Sequence, residues 1–160
     1  MLTFIRQLFQ NKQASEWQTF KASDNLYPAG PIAIITMQSS TGGLLTGWIN
    51  KGYKDYPYKK FCRNNFLIKV DLGDKAATST PHMDTVEKYF LDNLRNACVS
   101  HLVARLATDN GLNLEFYLEN RDAGMITLLH LSNDPNKLVN FTYENNYDPS
   151  WEAVTGLFNA

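Results

Sequence analysis

Residues 101–120, HLVARLATDNGLNLEFYLEN, leave the chain few ways to fold. In the second half Leu112, Leu114, Phe116 and Leu118 alternate with Asn113, Glu115, Tyr117 and Glu119. A period of two means a strand with one apolar and one polar face. In the first half Leu102, Ala104 and Leu106 form the matching apolar set, and His101, Val103, Arg105 and Ala107 point the other way. Opposed residues of a hairpin share a face, so the turn length decides whether the two runs agree. A two-residue Asn110-Gly111 turn would set Arg105 against Phe116. A three-residue loop, Asp109-Asn110-Gly111, sets Leu106 against Leu114, Ala104 against Phe116 and Arg105 against Glu115. The three-residue loop is the expectation, with Gly111 as the left-handed residue of a bulge.

The other elements are read outward from this hairpin. Residues 1–13 place Leu2, Ile5, Leu8 and Phe9 on one helical face, an amphipathic segment too short to anchor in a membrane alone. Residues 16–22, with Trp17 and Phe20, read as a strand. Residues 31–38, PIAIITMQ, read as a buried strand. Residues 39–43 form a polar turn, and 44–53 are ambiguous between helix and strand. In 65–72, Phe66, Ile68, Val70 and Leu72 alternate with polar neighbours, another strand. After a loop at 73–79, Thr80-Pro81 resembles a helix start, and Met83, Val86, Phe90, Leu94 and Ala97 form the stripe of a helix lying on a sheet. Residues 122–131 are read as a helix, although periodicity also permits a strand. Val139, Phe141 and Tyr143 mark the last strand, and Asp148 caps a short terminal helix beside Trp151.

From Phe66 onward the order is strand, helix, strand, strand, helix, strand. That is the split βαβ of ferredoxin-like folds, an α+β antiparallel sheet with two helices on one face. The expected organisation is a segment at 1–13 and a single α+β domain over 14–160, with a ferredoxin-like core at about 65–146. The N-terminal strands either extend the sheet or fold over its polar face.

Composition narrows the function classes. The chain has 160 residues, 44% of them hydrophobic and 19% charged, with a net charge of -1. That is enough for one domain with a core, and no global charge draws it to nucleic acid or anionic lipid. Cys62 and Cys98 lie in no motif and are read as reduced thiols. No apolar run has transmembrane length, and the N-terminus lacks a signal-peptide pattern, so a cytoplasmic location is expected.

Several short motifs carry a resemblance. Val103-Ala104-Arg105-Leu106-Ala107-Thr108, then Gly111, then Glu115-Phe116-Tyr117, and finally Asp148-x-x-Trp151 with Leu157-Phe158 near the end, resemble an uncharacterised bacterial family, domain of unknown function 695. That family shows a Gly-Arg-x-Thr strand, a Gly turn, a Phe-Tyr strand, and Asp-x-x-Trp before a terminal Leu-Tyr-Pro. Here Ala104 stands in for the glycine, and the chain ends Leu157-Phe158-Asn159-Ala160. The resemblance spans residue 16 to the C-terminus. It implies a fold similar to the ferredoxin-like protein regulators of ribonuclease E, which bind a partner rather than catalyse. Fold alone does not fix function.

Two candidate surfaces follow. The polar face of the hairpin offers His101, Arg105, Glu115 and Tyr117, where Arg105 would grip an anionic group on a partner or simply pair with Glu115. Residues 51–63, KGYKDYPYKKFCR, are rich in lysine and aromatics, and Lys54, Tyr56, Tyr58, Lys59 and Lys60 could hold single-stranded RNA by phosphate pairing and base stacking. His82, His101 and His130 share no metal-binding spacing, and no phosphate loop or nucleophile elbow can be assembled locally. No cofactor and no catalytic residue are assigned. The preferred expectation is a protein-binding or regulatory module. The alternatives are a small enzyme or small-molecule binder with a pocket between the N-terminal strands and the sheet, and RNA binding through 51–63. Unpaired edge strands would allow a homodimer.

Overall fold

The computed structural model describes residues 2–39, 42–73 and 80–159; most of the loop expected at 73–79 lies outside the described residues. The chain opens with α1 (Leu2–Lys21), then β1 (Ile32–Gln38) and β2 (Leu44–Asn50). Two short 3-10 turns, Lys51–Tyr53 and Lys59–Phe61, lead into β3 (Asn64–Asp71). There follow α2 (Thr80–Ala97), β4 (Ser100–Thr108), β5 (Gly111–Leu118), α3 (Arg121–Asn133), β6 (Asn140–Tyr147) and α4 (Glu152–Thr155). All six strands join one antiparallel sheet in the order β1-β2-β4-β5-β3-β6. The fold is α+β with helices on its sheet faces, larger than a single four-stranded βαββαβ unit because β1 and β2 extend the sheet beyond β4.

The alternating strands bury what their pattern demands. Phe66, Ile68 and Val70 of β3 and Leu112, Leu114, Phe116 and Leu118 of β5 meet Val86, Phe90 and Leu94 of α2 and Leu128 of α3 in one core. The α2 stripe falls at three- and four-residue spacing, so one helix face reaches the sheet. The helix read over 122–131 is α3, with the Asn120 side chain accepting from the Ala123 amide at its start. On the opposite face a second core gathers Trp17, Tyr53, Tyr56, Val103, Tyr117, Trp151, Val154 and Phe158. Both faces of the central strands are therefore covered.

Three sequence expectations differ from the structure: residues 31–38 form β1, but as an edge strand with Ile32, Ile34 and Met37 exposed and Ile35 buried, not as a buried strand. Residues 16–22 are not a strand but the last turns of α1. Trp17 and Phe20 are three apart, so a helix presents both to the same core, whereas a strand would split them. The hairpin register also differs. Thr108 pairs with Gly111 across a two-residue Asp109-Asn110 loop, and Arg105 faces Leu114 rather than Glu115. Gly111 is inside β5 and is not left-handed. Its role is close approach, since a Cβ there would lie 1.9 Å from the Val70 carbonyl oxygen. The register is repaired by a bulge between Leu102 and Ala104, which inserts Val103 and returns Leu102 to Phe116. Val103 and Ala104 both enter the second core, and Arg105 is turned to the helix side.

Candidate functional site

His101 is opposite Tyr117 in the β4–β5 ladder, and both are fully buried. β2 pairs with β4 only where Gly47, Trp48 and Ile49 meet Leu106, Arg105 and Ala104. Beyond that point β4 has no β2 partner, and aromatic rings pack around the His101 side chain in the second core. The rings of Tyr56, Tyr53, Tyr27 and Trp151 lie 4.9, 5.2, 5.3 and 5.9 Å from the imidazole. Nδ1 is 3.1 Å from the Tyr53 hydroxyl, and buried Nε2 has no partner among the described residues. Burial first, and the positive Arg95 second, bring the imidazole down to about 3. His101 is thus a neutral packing group and not a proton donor to solvent.

Tyr117 stacks on Trp151 at 4.2 Å and 16° and donates its hydroxyl to Asp148 Oδ2 at 2.7 Å. Asp148 also accepts from the Glu152 and Ala153 amides at 2.9 and 3.0 Å, the cap expected for the terminal helix. Burial alone would raise this carboxyl, but the Tyr117 hydroxyl and the amides of Ala153, Glu152 and Trp151 outweigh it and hold the pKa low. Trp151 sits in the left-handed region at φ 61°, unusual for a bulky residue. Its indole N–H donates to the Cys62 and Lys59 carbonyls at 2.8 and 3.2 Å, tying the C-terminal turn to residues 51–63.

The four residues expected on one polar face are not on one exposed face. His101 and Tyr117 are inside the second core. Glu115 is on the same side, opposite Ala104, and accepts from the Asn65 side-chain amide. Burial raises its carboxyl despite that bond. Arg105 is on the other side, donating to Asp84 at 2.6 Å and Glu87 at 2.9 Å on α2. Burial raises Glu87 even though the guanidinium pulls it back. The space beside His101 holds packed rings; β1 and β2 lie within the sheet, and where they meet β4 and α2 an open hollow of about 470 Å³ is lined by Ile34, Leu44, Trp48, Met83 and Arg105, without His101.

The basic aromatic segment divides in the same way. Tyr56 is buried, and Tyr58 is packed against Phe20 and Trp17 at 4.3 and 5.5 Å. These faces are occupied, so they offer no platform for bases. Lys59 donates to the Lys54 carbonyl at 2.6 Å and lies over the Trp151 and Phe158 rings at 5.8 and 5.4 Å. Lys54 is exposed. Lys60 reaches α1, donating to Gln13 Oε1.

That contact borders an open groove of about 540 Å³ between α1, the 3-10 turn at Lys59–Phe61 and the end of β6. Phe61 stacks on Trp17 at 5.2 Å and 7° to form its floor. Arg63 lies 5.5 Å over the Tyr147 ring, which is 68% exposed. Glu119 is the one carboxylate in the lining, and its Oε1 accepts from Trp17 Nε1 at 2.8 Å and Lys21 Nζ at 2.9 Å. Among the described residues neither Lys60 nor Arg63 has a carboxylate within ion-pair distance. The groove therefore presents two cations beside an exposed ring, with its own acid already neutralised. Of its lining, the sequence singled out Lys60 within a loop and missed Gln13, Glu119 and Tyr147. No spacing in the sequence joins these three residues to Lys60.

Among the described residues, no cluster of His, Cys, Asp and Glu could hold a metal ion, and no helix is long and apolar enough to cross a membrane. No family model, no curated protein and no solved structure matches the chain.

Proposed function

We propose that this chain is a cytoplasmic protein-binding or regulatory module without chemistry of its own, and that the groove beside α1 takes an acidic peptide segment of its partner. One observation carries the reading. His101, Tyr117 and Cys62 are sealed in the core, while the open groove shows Lys60, Arg63 and the exposed Tyr147 ring. A carboxylate between the two cations would gain charge-assisted hydrogen bonds. RNA is the weaker reading, because the tyrosines that would stack on bases are packed among themselves.

The family resemblance is kept as part of the same proposal. Three of its quoted residues meet in space, since Tyr117 contacts both Asp148 and Trp151. The order β4-β5-β3-β6, with α2 and α3 as the crossovers, supports a ferredoxin-like core within the larger sheet.

The test is affinity capture from native lysate by the wild type, by Lys60→Glu/Arg63→Glu and by Lys88→Glu on exposed α2, followed by titration of the captured protein with each purified form. Loss of binding in the groove variant alone, with wild-type affinity falling as salt rises, is the expected result. Equal binding by all three forms overturns the groove, and capture of RNA in place of protein overturns the partner class.

A further inference from the structure

We infer that β1 is a self-association edge and that two copies of this chain pair through it in an antiparallel, two-fold arrangement. Among the described residues β1 pairs only with β2, so its outer side is a row of backbone groups without a strand partner. The direction of those groups follows from the ladder. Lys51 donates to the Pro31 carbonyl at 2.9 Å and Ser39 donates to the Gly43 carbonyl at 2.7 Å, so the odd positions bond inward to β2. In an antiparallel ladder the bonding direction alternates. The amides and carbonyls of Ile32, Ile34, Thr36 and Gln38 therefore point outward. A two-fold axis through Ile35 sets Ile32 against Gln38 and Ile34 against Thr36 of the second copy, and every outward group of the strand finds a partner.

The side chains favour the same occupant. Ile32 and Ile34 are 53% and 72% exposed on the face shared with Trp48, and Leu44 beside them is 74% exposed. In that register Ile32 and Ile34 of one copy lie opposite Gln38 and Thr36 of the other, and the two Ile34 side chains meet on the diagonal, so the isoleucines run as one diagonal apolar stripe across the axis. Neither β1 (IAIITMQ) nor β2 (LLTGWIN) holds a charge, so nothing repels a second copy and nothing selects a charged stranger. The opposite edge shows the contrast. β6 (NFTYENNY) carries three asparagines and Glu144, which pairs with Lys69, the kind of polar guard that keeps an edge single. A bare uncharged strand like β1 is a hazard if left open. Pairing β1 with β6 of another copy would not close and would run into filaments, whereas β1 with β1 closes at two.

The measurement is sedimentation equilibrium of the full chain over a dilution series, where a dimer reads as twice 18.2 kDa. Ile34→Lys places a charge on the stripe, and Thr36→Pro deletes an outward N–H without touching the β1–β2 bonds. Both should sediment as folded monomers by circular dichroism, while Ile126→Lys on α3 should stay dimeric. Oxidation of Ile34→Cys/Thr36→Cys should give a cross-linked dimer, and either cysteine alone should not. A monomeric wild type, a dimer unmoved by both edge variants, or open polymers would each overturn the inference. The groove at Lys60 and Arg63 lies toward the other edge, so its charge reversal leaves this mass unchanged.

Discussion

His101 gives the most quantitative prediction. Its imidazole titrates at 6.5 in an open chain and at about 3 in the fold, lowered by burial and then by Arg95. The folded state therefore binds fewer protons than the unfolded state between those two values. Stability rises with pH through that window and falls as pH drops from 6.5 toward 3. At about 1.4 kcal/mol per pH unit of fully linked protonation, the loss between about pH 7 and about pH 5 comes to about 2 kcal/mol. His101→Phe keeps a ring of similar shape and removes the proton site. It also strands the Tyr53 hydroxyl, at a pH-independent cost of about 1 kcal/mol. Carboxylates that titrate in the same range are common to both proteins and cancel in the difference. Urea unfolding followed by tryptophan fluorescence should show the wild type ahead at neutral pH and the gap closing or reversing on acidification. Parallel stabilities over that range, or a His101 ring resonance that titrates near neutrality in the folded protein, would refute the reasoning.

Three shorter predictions rest on single contacts. Arg105→Met leaves Glu87 half-buried without its cation and should cost about 1–3 kcal/mol, whereas Asp84→Ala, at the exposed end of the same pair, should cost under about 1 kcal/mol; chemical denaturation separates them. Gly47→Ala would put a Cβ 2.0 Å from the Arg105 carbonyl oxygen, so the β2–β4 seam must part, and hydrogen exchange should rise across β1 and β2 before the central strands. Tyr117→Phe removes the hydroxyl donated to Asp148 and should lower unfolding free energy by about 1.5–3 kcal/mol, as for a bond to a charged group, with no change in oligomeric mass.

What the sequence made legible were the elements whose burial has a clean period. The β3 and β5 alternations and the α2 stripe reached the core they implied, because a period of two or 3.6 assigns a face without knowledge of neighbours. The terminal Asp148 cap was legible for the same local reason. The second face was not legible. Tyr53, Tyr56 and Trp151 come from irregular segments, and nothing in their spacing says that they converge on His101. Residues 16–22 misled because Trp17 and Phe20 suit a strand by propensity, while the helix is decided by its contact with Phe61 and Glu119. The candidate site was legible only as a composition, lysines and aromatics in 51–63. The fold then separated that composition into a buried aromatic half and a charged rim.

The bulge at Val103 explains why these errors came together. With strict alternation from His101 to Ala107, Arg105 must share a face with His101. One inserted residue breaks that link and sends Arg105 to Asp84 and Glu87 on α2. The same insertion lets Val103 and Ala104 both enter the second core and adds local twist to β4. β2 follows β4 only as far as Ala104, and beyond that Tyr27, Tyr53 and Tyr56 close around the His101 ring. A wet sheet face thus becomes a closed aromatic core, and the polar groups expected to meet a partner there are withdrawn from solvent. On the proposed reading, recognition is left to the rims of the sheet. At one rim cations stand over a groove, and at the other an unguarded strand faces outward.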